Sequence, residues 1–398
     1  MSFILIQHVV LALAALIHNV QAQCPDFNAG FDQNKVVSQA QLLSSHSWEF
    51  GTCAEALLEL YDADLSVFSS SAFPNGQLPR PDTRIASLSY AMPRISLSGN
   101  TLVGSDGAAG DPCSLGVSAL LIGQTNGDYY NAAERQKGHI LNTVPRFANG
   151  AISHRENDIE AWSDFIFMAP PFLAYTAVRD NDLGLMQQAV SQCSLYRGIL
   201  QPSGSTWQHI VPGPSGTTDR GIWSTGNGWA AMGMARVLAT IMHWPNGASN
   251  LGQQQNQLTG WIKEIVDGAR NAGRDSSGLL RNYLPDNSWF GETSGTALSA
   301  QIDLIELIHI TAALLAAVVY RMAVLAPGTF TRDYVNWADD SRRAVASHID
   351  SSGILSPAVN PTDWLNRTPF KTGSPEGQSF GAMLYASYRD CVCAGKCS

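Results

Sequence analysis

Residues 160–174 read EAWSDFIFMAPPFLA, a run in which the carboxylate of Asp164 stands among residues that are almost all apolar, aromatic or small. Such a run predicts a helix buried on most sides. Burying a lone ionised carboxylate costs on the order of several kcal/mol, so Asp164 must be paired, hydrogen-bonded or protonated. Taken alone, it reads as a satisfied structural Asp that caps a neighbouring loop. The company it keeps along the chain points elsewhere.

Working outward, the amphipathic stretches alternate with more apolar ones. Lys35–Ser45, Thr52–Tyr61, Arg84–Met92, Pro112–Gln124, Gly127–Val144, Asn181–Ile199, Gly228–Met242, Gly252–Ala272, Thr293–Leu325, Arg332–Ile349 and Glu376–Arg389 are all predicted helical. Asp111 ahead of Pro112 is a plausible helix cap. Long Gly-rich loops precede the apolar members. About six such pairs recur at intervals of roughly 50–80 residues, a period that implies an array or a closed ring. Period-2 alternation is nearly missing, which argues against a β-fold. Apolar helices would form an inner ring and amphipathic ones an outer ring. The loops entering the inner helices would then gather at one mouth, where binding groups usually sit. The apolar stretch Ile305–Leu325 contains Glu306, His309 and Arg321, each costly at membrane depth, so it reads as an inner-ring helix and not a membrane span.

The 398 residues carry a net charge of −9, only 14% are charged, and 35 are glycine. No basic stripe of the kind nucleic acid requires is present. Residues 1–22 read as a signal peptide, with an apolar core over Phe3–Ile17 and a small-residue cleavage site at Val20-Gln21-Ala22. Residues 23–398 then form a single catalytic domain, secreted and extracellular, ending in a Cys-rich tail. All seven cysteines follow the cleavage point; an odd number leaves at least one thiol free or paired outside the chain. A disulfide staple from the tail (Cys391, Cys393, Cys397) to Cys24 or Cys53 fits an oxidising compartment. Asn366-Arg367-Thr368 is an N-glycosylation sequon, marking a surface loop of a glycoprotein.

At the joints between loops and inner helices the same residue types recur: Trp48 with Gly51, Asp111, His154 with Trp162 and Asp164, His209, and Trp223 with Asn227 and Trp229. Tryptophan faces stack on sugar rings, and carboxylates transfer protons. Two carboxylates among several aromatics are the usual make-up of a carbohydrate cleft.

Four segments carry a resemblance. W-x-D-x-x-F-M-A-P-P-F-L-A (162–174), W-S-T-G-N-G-W (223–229), E-T-S-G-T-A (292–297) and S-P-E-G-Q-S-F (374–380) resemble, in order, the unsaturated uronyl hydrolases of glycoside hydrolase families 88 and 105. The resemblance runs from about Trp48 to Arg389 and implies an all-α fold, the (α/α)6 barrel or six-hairpin toroid. It implies that Asp164 is the catalytic general acid/base and Asp111, 53 residues earlier, the second aspartate. His209 resembles a substrate-contacting histidine, and Trp223 and Trp229 the aromatic walls of the sugar site. His154, Trp162, Asn227 and Trp48 are expected to bind substrate with them. Glu292 and Glu376 read as residues that cap inner helices and tie their loops.

The implied chemistry is vinyl-ether hydration: protonation of C4 of an unsaturated uronate, then water addition at C5. An acid kept neutral by apolar surroundings suits that role. The expected partner is an oligosaccharide with a uronate end; no metal or organic cofactor, nucleic acid or membrane is implied. The chain departs from the family-105 pattern at Thr225, where an Arg is usual and would hold a uronate carboxylate as a fork. Arg155 or Arg220 would take that task, or the substrate differs. An ordinary glycosidase, a uronate lyase and a non-catalytic glycan-binding toroid are the competing readings.

Overall fold

The computed structural model describes residues 24–273, 275, 279–293 and 313–398. Among the described residues, six outer helices carry one apolar stripe each and six inner helices are buried nearly all round. Helix α10 (Gly252–Asn271) shows the outer pattern, burying Leu258, Ile262, Ile265, Val266 and Ala269 along one face. Helix α8 (Ser224–His243) shows the inner one, with every residue from Ser224 to Ile241 buried.

In chain order, outer and inner helices alternate: α1 (Gln33–Leu43) and α2 (Ser47–Tyr61), α3 (Ala86–Ala91) and α4 (Gly116–Gly123), α5 (Gly127–Asn142) and α6 (Phe165–Asp180). Then come α7 (Leu183–Leu200) and α8, the short link α9 (Pro245–Asn250), α10 and α11 (Ala313–Leu325), and α12 (Arg332–Ser347) and α13 (Pro375–Cys393). The inner helices close on themselves: α2 packs against the 3-10 turn Asp111–Leu115 that leads into α4, that turn against α6, α6 against α8, α8 against α11, α11 against α13, and α13 against α2. This is the (α/α)6 toroid. No helix among the described residues is long and apolar enough to cross a membrane.

Local chemistry fixes where the helices begin. Asp32 caps α1 by accepting from the Asn34 amide at 3.0 Å, and Asp182 caps α7 through the Leu185 amide at 3.0 Å. Glu49 folds back to accept the amides of Ser45 (2.6 Å) and His46 (2.9 Å), which fixes the entry to α2 and gives a buried carboxylate its partners. In α6, Pro170 has no N–H to offer the Ile166 carbonyl. Gly233 of α8 packs against that same carbonyl, where a Cβ would lie 2.0 Å from the oxygen. The Pro and the Gly together let two inner helices approach closely.

Three expectations change. Glu160–Trp162 is not helical but a short strand, β1, paired antiparallel with β2 (Ile210–Pro212). Its partner lies some fifty residues away, and no local pattern announces such a pairing. Trp48–Gly51 lies inside α2 rather than in the loop before it, because the Glu49 cap starts the helix at Ser47. Asp111 makes no side-chain cap bond. A second strand pair joins β3 (Ile222–Trp223) to β4 (Tyr283–Leu284). The described part of Ile305–Leu325 is an inner helix with a buried Arg321; Glu306 and His309 lie outside the described residues, as do residues 1–22 and 294–297.

Toward the C-terminal ends of the inner helices lies a buried ionic network. Glu55 and Glu59 of α2 pair with Arg236 of α8, Glu59 also with Arg321 of α11 at 2.8 Å, and Arg321 with Asp390 of α13. Cys24 is bonded to Cys393 and Cys391 to Cys397. The N-terminal partner of the tail is therefore Cys24; Cys53, like Cys113 and Cys193, is a buried free thiol.

Candidate active site

The N-terminal ends of the inner helices and the loops that enter them surround a cavity of about 230 Å³. Asp111 and Asp164 both line it, with His154 and His209, and both carboxylates are nearly buried. Each acid faces one histidine: His154 Nε2 lies 3.6 Å from Asp111 Oδ1, and His209 Nε2 lies 3.6 Å from Asp164 Oδ2. Asp164 ends the loop that leads from β1 into α6, and its Oδ1 is buried without a hydrogen-bond partner.

The charges around these groups differ in kind. Burial pushes the Asp111 carboxyl up to about 7; the charge of Asp164 adds to that and Arg155 opposes it. Burial pulls His154 down to about 3, so it is a neutral imidazole. Burial also pulls on His209, but Asp164 and Asp219 outweigh it and leave this imidazole above its ordinary value. Asp219 accepts from His209 Nδ1 at 2.9 Å, while the Tyr283 hydroxyl and the Gly221 amide (3.0 Å) hold the carboxylate in place. A chain Asp164–His209–Asp219–Tyr283 thus runs outward from the cavity. Neither Asp219 nor Tyr283 was expected from sequence: Asp219 reaches His209 because its backbone bridges that of Ile210.

The raised Asp111 carboxyl has a consequence for stability. Its folded value of about 7 lies above the ordinary 3.8. The ionised form therefore opposes folding, by an amount that is nil well below pH 4, grows between about 4 and 7 and is complete above 7. Asp111→Asn should raise the melting temperature at pH 8 and leave it unchanged at pH 3.5; equal shifts at both values in thermal melts would contradict this.

Tryptophans form the walls. The Trp162 ring stacks on His154 with centroids 5.0 Å apart, and its indole N–H donates to Glu160. Trp223 packs 4.4 Å from His209 and donates to Asn282 Oδ1 at 2.8 Å. Trp48 lines the cavity and donates to Glu376 Oε1 at 2.6 Å. Trp229 is the floor, 1% exposed, held edge-on between Phe167 and Phe380. Trp364 from the loop before α13 also lines the cavity, edge-on to both Trp162 and His209. Nothing in its local sequence marked it.

Asn227 departs from its expected role. Its side chain accepts from the Trp207 amide at 2.8 Å and donates to the Trp207 and Trp223 carbonyls at 2.9 and 2.8 Å. Fully buried and so occupied, it anchors the loop before α8 and does not line the cavity. Thr225 is likewise buried, its hydroxyl 3.3 Å from Glu292 Oε2, while Glu292 Oε1 accepts the Val359 amide at 2.9 Å. Glu292 therefore ties the loop that carries Trp364. Of the two alternative cations, Arg155 lines the cavity, and Arg220 is exposed and reaches Gln208. Glu376 does not cap α13; Ser374 does, through the Gly377 amide. Among the described residues no cluster of His, Cys, Asp and Glu is arranged to hold a metal.

The model of glycosyl hydrolase family 88 matches residues 113–302. The chain is 26% identical over 195 residues to the unsaturated rhamnogalacturonyl hydrolase YesR of Bacillus subtilis (strain 168). That match takes in 46% of this chain and 54% of the relative, so the chain spans about half the length of the curated relative it matches. The fold is similar to that of a possible family-105 member from Salmonella enterica, with a TM-score of 0.66, 16% identity, and coverage of 94% of this chain and 98% of that one. It is similar also to that of a polysaccharide lyase, with a TM-score of 0.60, 14% identity and coverage of 90% and 95%. The chain resembles the unsaturated uronyl hydrolases of families 88 and 105 in sequence and in architecture.

Proposed function

We propose that this chain is a secreted glycoside hydrolase that removes an unsaturated uronate from the end of an oligosaccharide. The observation that carries the reading is the meeting of Asp111 and Asp164, each with its own histidine, in one cavity walled by tryptophans. The family-88 match over the segment that holds Asp164, His209 and Trp223 supports it. The two disulfides support an oxidising compartment.

Asp164 donates a proton to C4 of the C4=C5 double bond. The positive charge that develops at C5 is shared with the ring oxygen. Water adds its oxygen to C5 and returns a proton to Asp164. The resulting hemiketal opens to a ketone at C5 and a hemiacetal at C1, and the hemiacetal becomes an aldehyde as its C1–O bond breaks and the remaining sugar leaves as an alcohol. Asp111, pushed up to about 7, holds a proton close to Asp164 near neutrality, and the His209 imidazole beside it is raised above its ordinary value by Asp164 and Asp219. The test follows the ultraviolet absorbance of the C4=C5 chromophore with unsaturated oligouronides. Loss of absorbance at a rate proportional to enzyme is expected; folded protein that turns over none of a broad panel sinks the proposal. A gain of absorbance from saturated polyuronides would establish the lyase reading, which the shared fold of a polysaccharide lyase keeps in view.

With Thr225 in place of the family's arginine, Arg155 is the cation that lines the cavity to meet the uronate carboxylate. Its Nη2 donates to the Asp106 carbonyl at 2.5 Å, which holds the guanidinium at the mouth. Arg155→Ala should raise KM for unsaturated uronides about 10-fold or more with kcat nearly kept, as expected for loss of a charge-assisted hydrogen bond made equally in ground and transition states. An unchanged KM in steady-state assays would remove Arg155 from substrate binding.

A further inference from the structure

Besides Asp106, Asp111 and Asp164, a fourth carboxyl residue lines the cavity and has no part in the chemistry above. Glu376 lies in the first turn of α13, 3% exposed, among the residues lining the cavity. Its two oxygens are unequal. Oε1 accepts the Trp48 indole N–H at 2.6 Å, whereas Oε2 is buried and has no hydrogen-bond partner. Among the described residues, the charges that act on it most strongly are acids: Glu49 from α2, Asp164 from the start of α6, and Glu292 from the segment that follows β4. A buried carboxylate with one unmet oxygen and three acidic neighbours is costly; a proton on Oε2 removes the cost and turns that oxygen into a donor.

We propose that Glu376 is a substrate-binding residue that works as an uncharged carboxylic acid: Trp48 fixes its Oε1, and its Oε2 hydroxyl donates a hydrogen bond to an oxygen of the sugar lying against the Trp48 ring. Burial first, and then the charge of Glu49, carry this carboxyl well above the ordinary range, against the opposing Trp48 hydrogen bond. An uncharged Glu376 also spares an anionic substrate a repulsive charge in the cavity. The role rests on the glycoside-hydrolase reading, but its protonation state does not.

Glu376→Gln keeps an acceptor for Trp48 and places N–H donors where Oε2–H stood; Glu376→Ala removes both. With unsaturated oligogalacturonides, Glu376→Gln is expected to stay within about threefold of the wild-type kcat/KM. Glu376→Ala is expected to lose roughly 10- to 100-fold, chiefly through KM, as for one uncompensated hydrogen bond and its packing. Glu376→Gln falling as far as Glu376→Ala, or Glu376→Ala at the wild-type value, overturns the proposal. The infrared difference spectrum of wild type minus Glu376→Gln, taken without ligand at pH 7, should show the carbonyl stretch of a protonated carboxyl. A carboxylate band in its place overturns it whatever the substrate proves to be. If the band is present and unsaturated uronides are not turned over, the hydrolase reading fails and the uncharged Glu376 stands.

Discussion

Asp164→Asn lowers kcat for unsaturated oligouronides by about three orders of magnitude or more, with KM changed only a little. The amide matches the carboxyl in shape and can still accept from His209, which lies 3.6 Å from Oδ2. It cannot deliver a proton to C4 or take one from water. Both steps therefore fail while the tryptophan walls and the floor stay in place. The same variant separates an enzyme from a glycan-binding toroid, since a binder keeps its affinity and has no rate to lose. Steady-state assays beside calorimetric titration with an unsaturated disaccharide measure the two quantities. A rate within tenfold of wild type assigns the proton transfer to another group, with Asp111 first in line.

Glu59→Ala lowers the temperature at which the barrel unfolds by several degrees. Glu59 is 0% exposed and answers two guanidinium groups, Arg236 and Arg321, which are each 3% exposed. Arg389 also donates to its backbone carbonyl at 2.8 Å, so four inner helices meet at this residue. Removing one partner of a buried pair leaves uncompensated charge and costs about 3–5 kcal/mol. In a protein of this size that corresponds to a fall of about 4–6 °C in apparent melting temperature. Differential scanning fluorimetry measures it, and a shift below 2 °C would mean that the two arginines find other partners. Because the network lies at the far end of the inner helices from the cavity, kcat at 25 °C should change little.

How far these features were legible in sequence depended on how local their causes are. The ring was readable because inner segments such as α8 are mostly apolar and outer ones such as α10 are apolar on one side, a pattern carried within each segment. Trp48, Asp111, His154, Trp162, Asp164, His209, Trp223 and Trp229 could be picked out because aromatics and carboxylates cluster where loops enter inner helices, and all eight line one cavity. Asn227 sits in the same kind of cluster, yet its amide answers a backbone twenty residues away. Glu160–Trp162 needed a strand partner fifty residues on. Trp364 reaches the cavity on a loop held by residues far away in sequence, Glu292 at Val359 and Asn282 at the Trp364 carbonyl. Glu376 looked like a cap because it stands in the first turn of a helix; Ser374 performs that task, which leaves the glutamate turned toward the cavity.

The bond between Cys24 and Cys393 spans 369 positions of sequence and encloses nearly the whole toroid in one covalent loop. A protease that nicks the exposed turn at residues 214–218 would therefore leave a single particle, its two fragments parting in an electrophoresis gel only after reduction. Such a nicked ring keeps its inner helices in register, and the exposed turn becomes a place where a peptide tag can be inserted without untying the molecule.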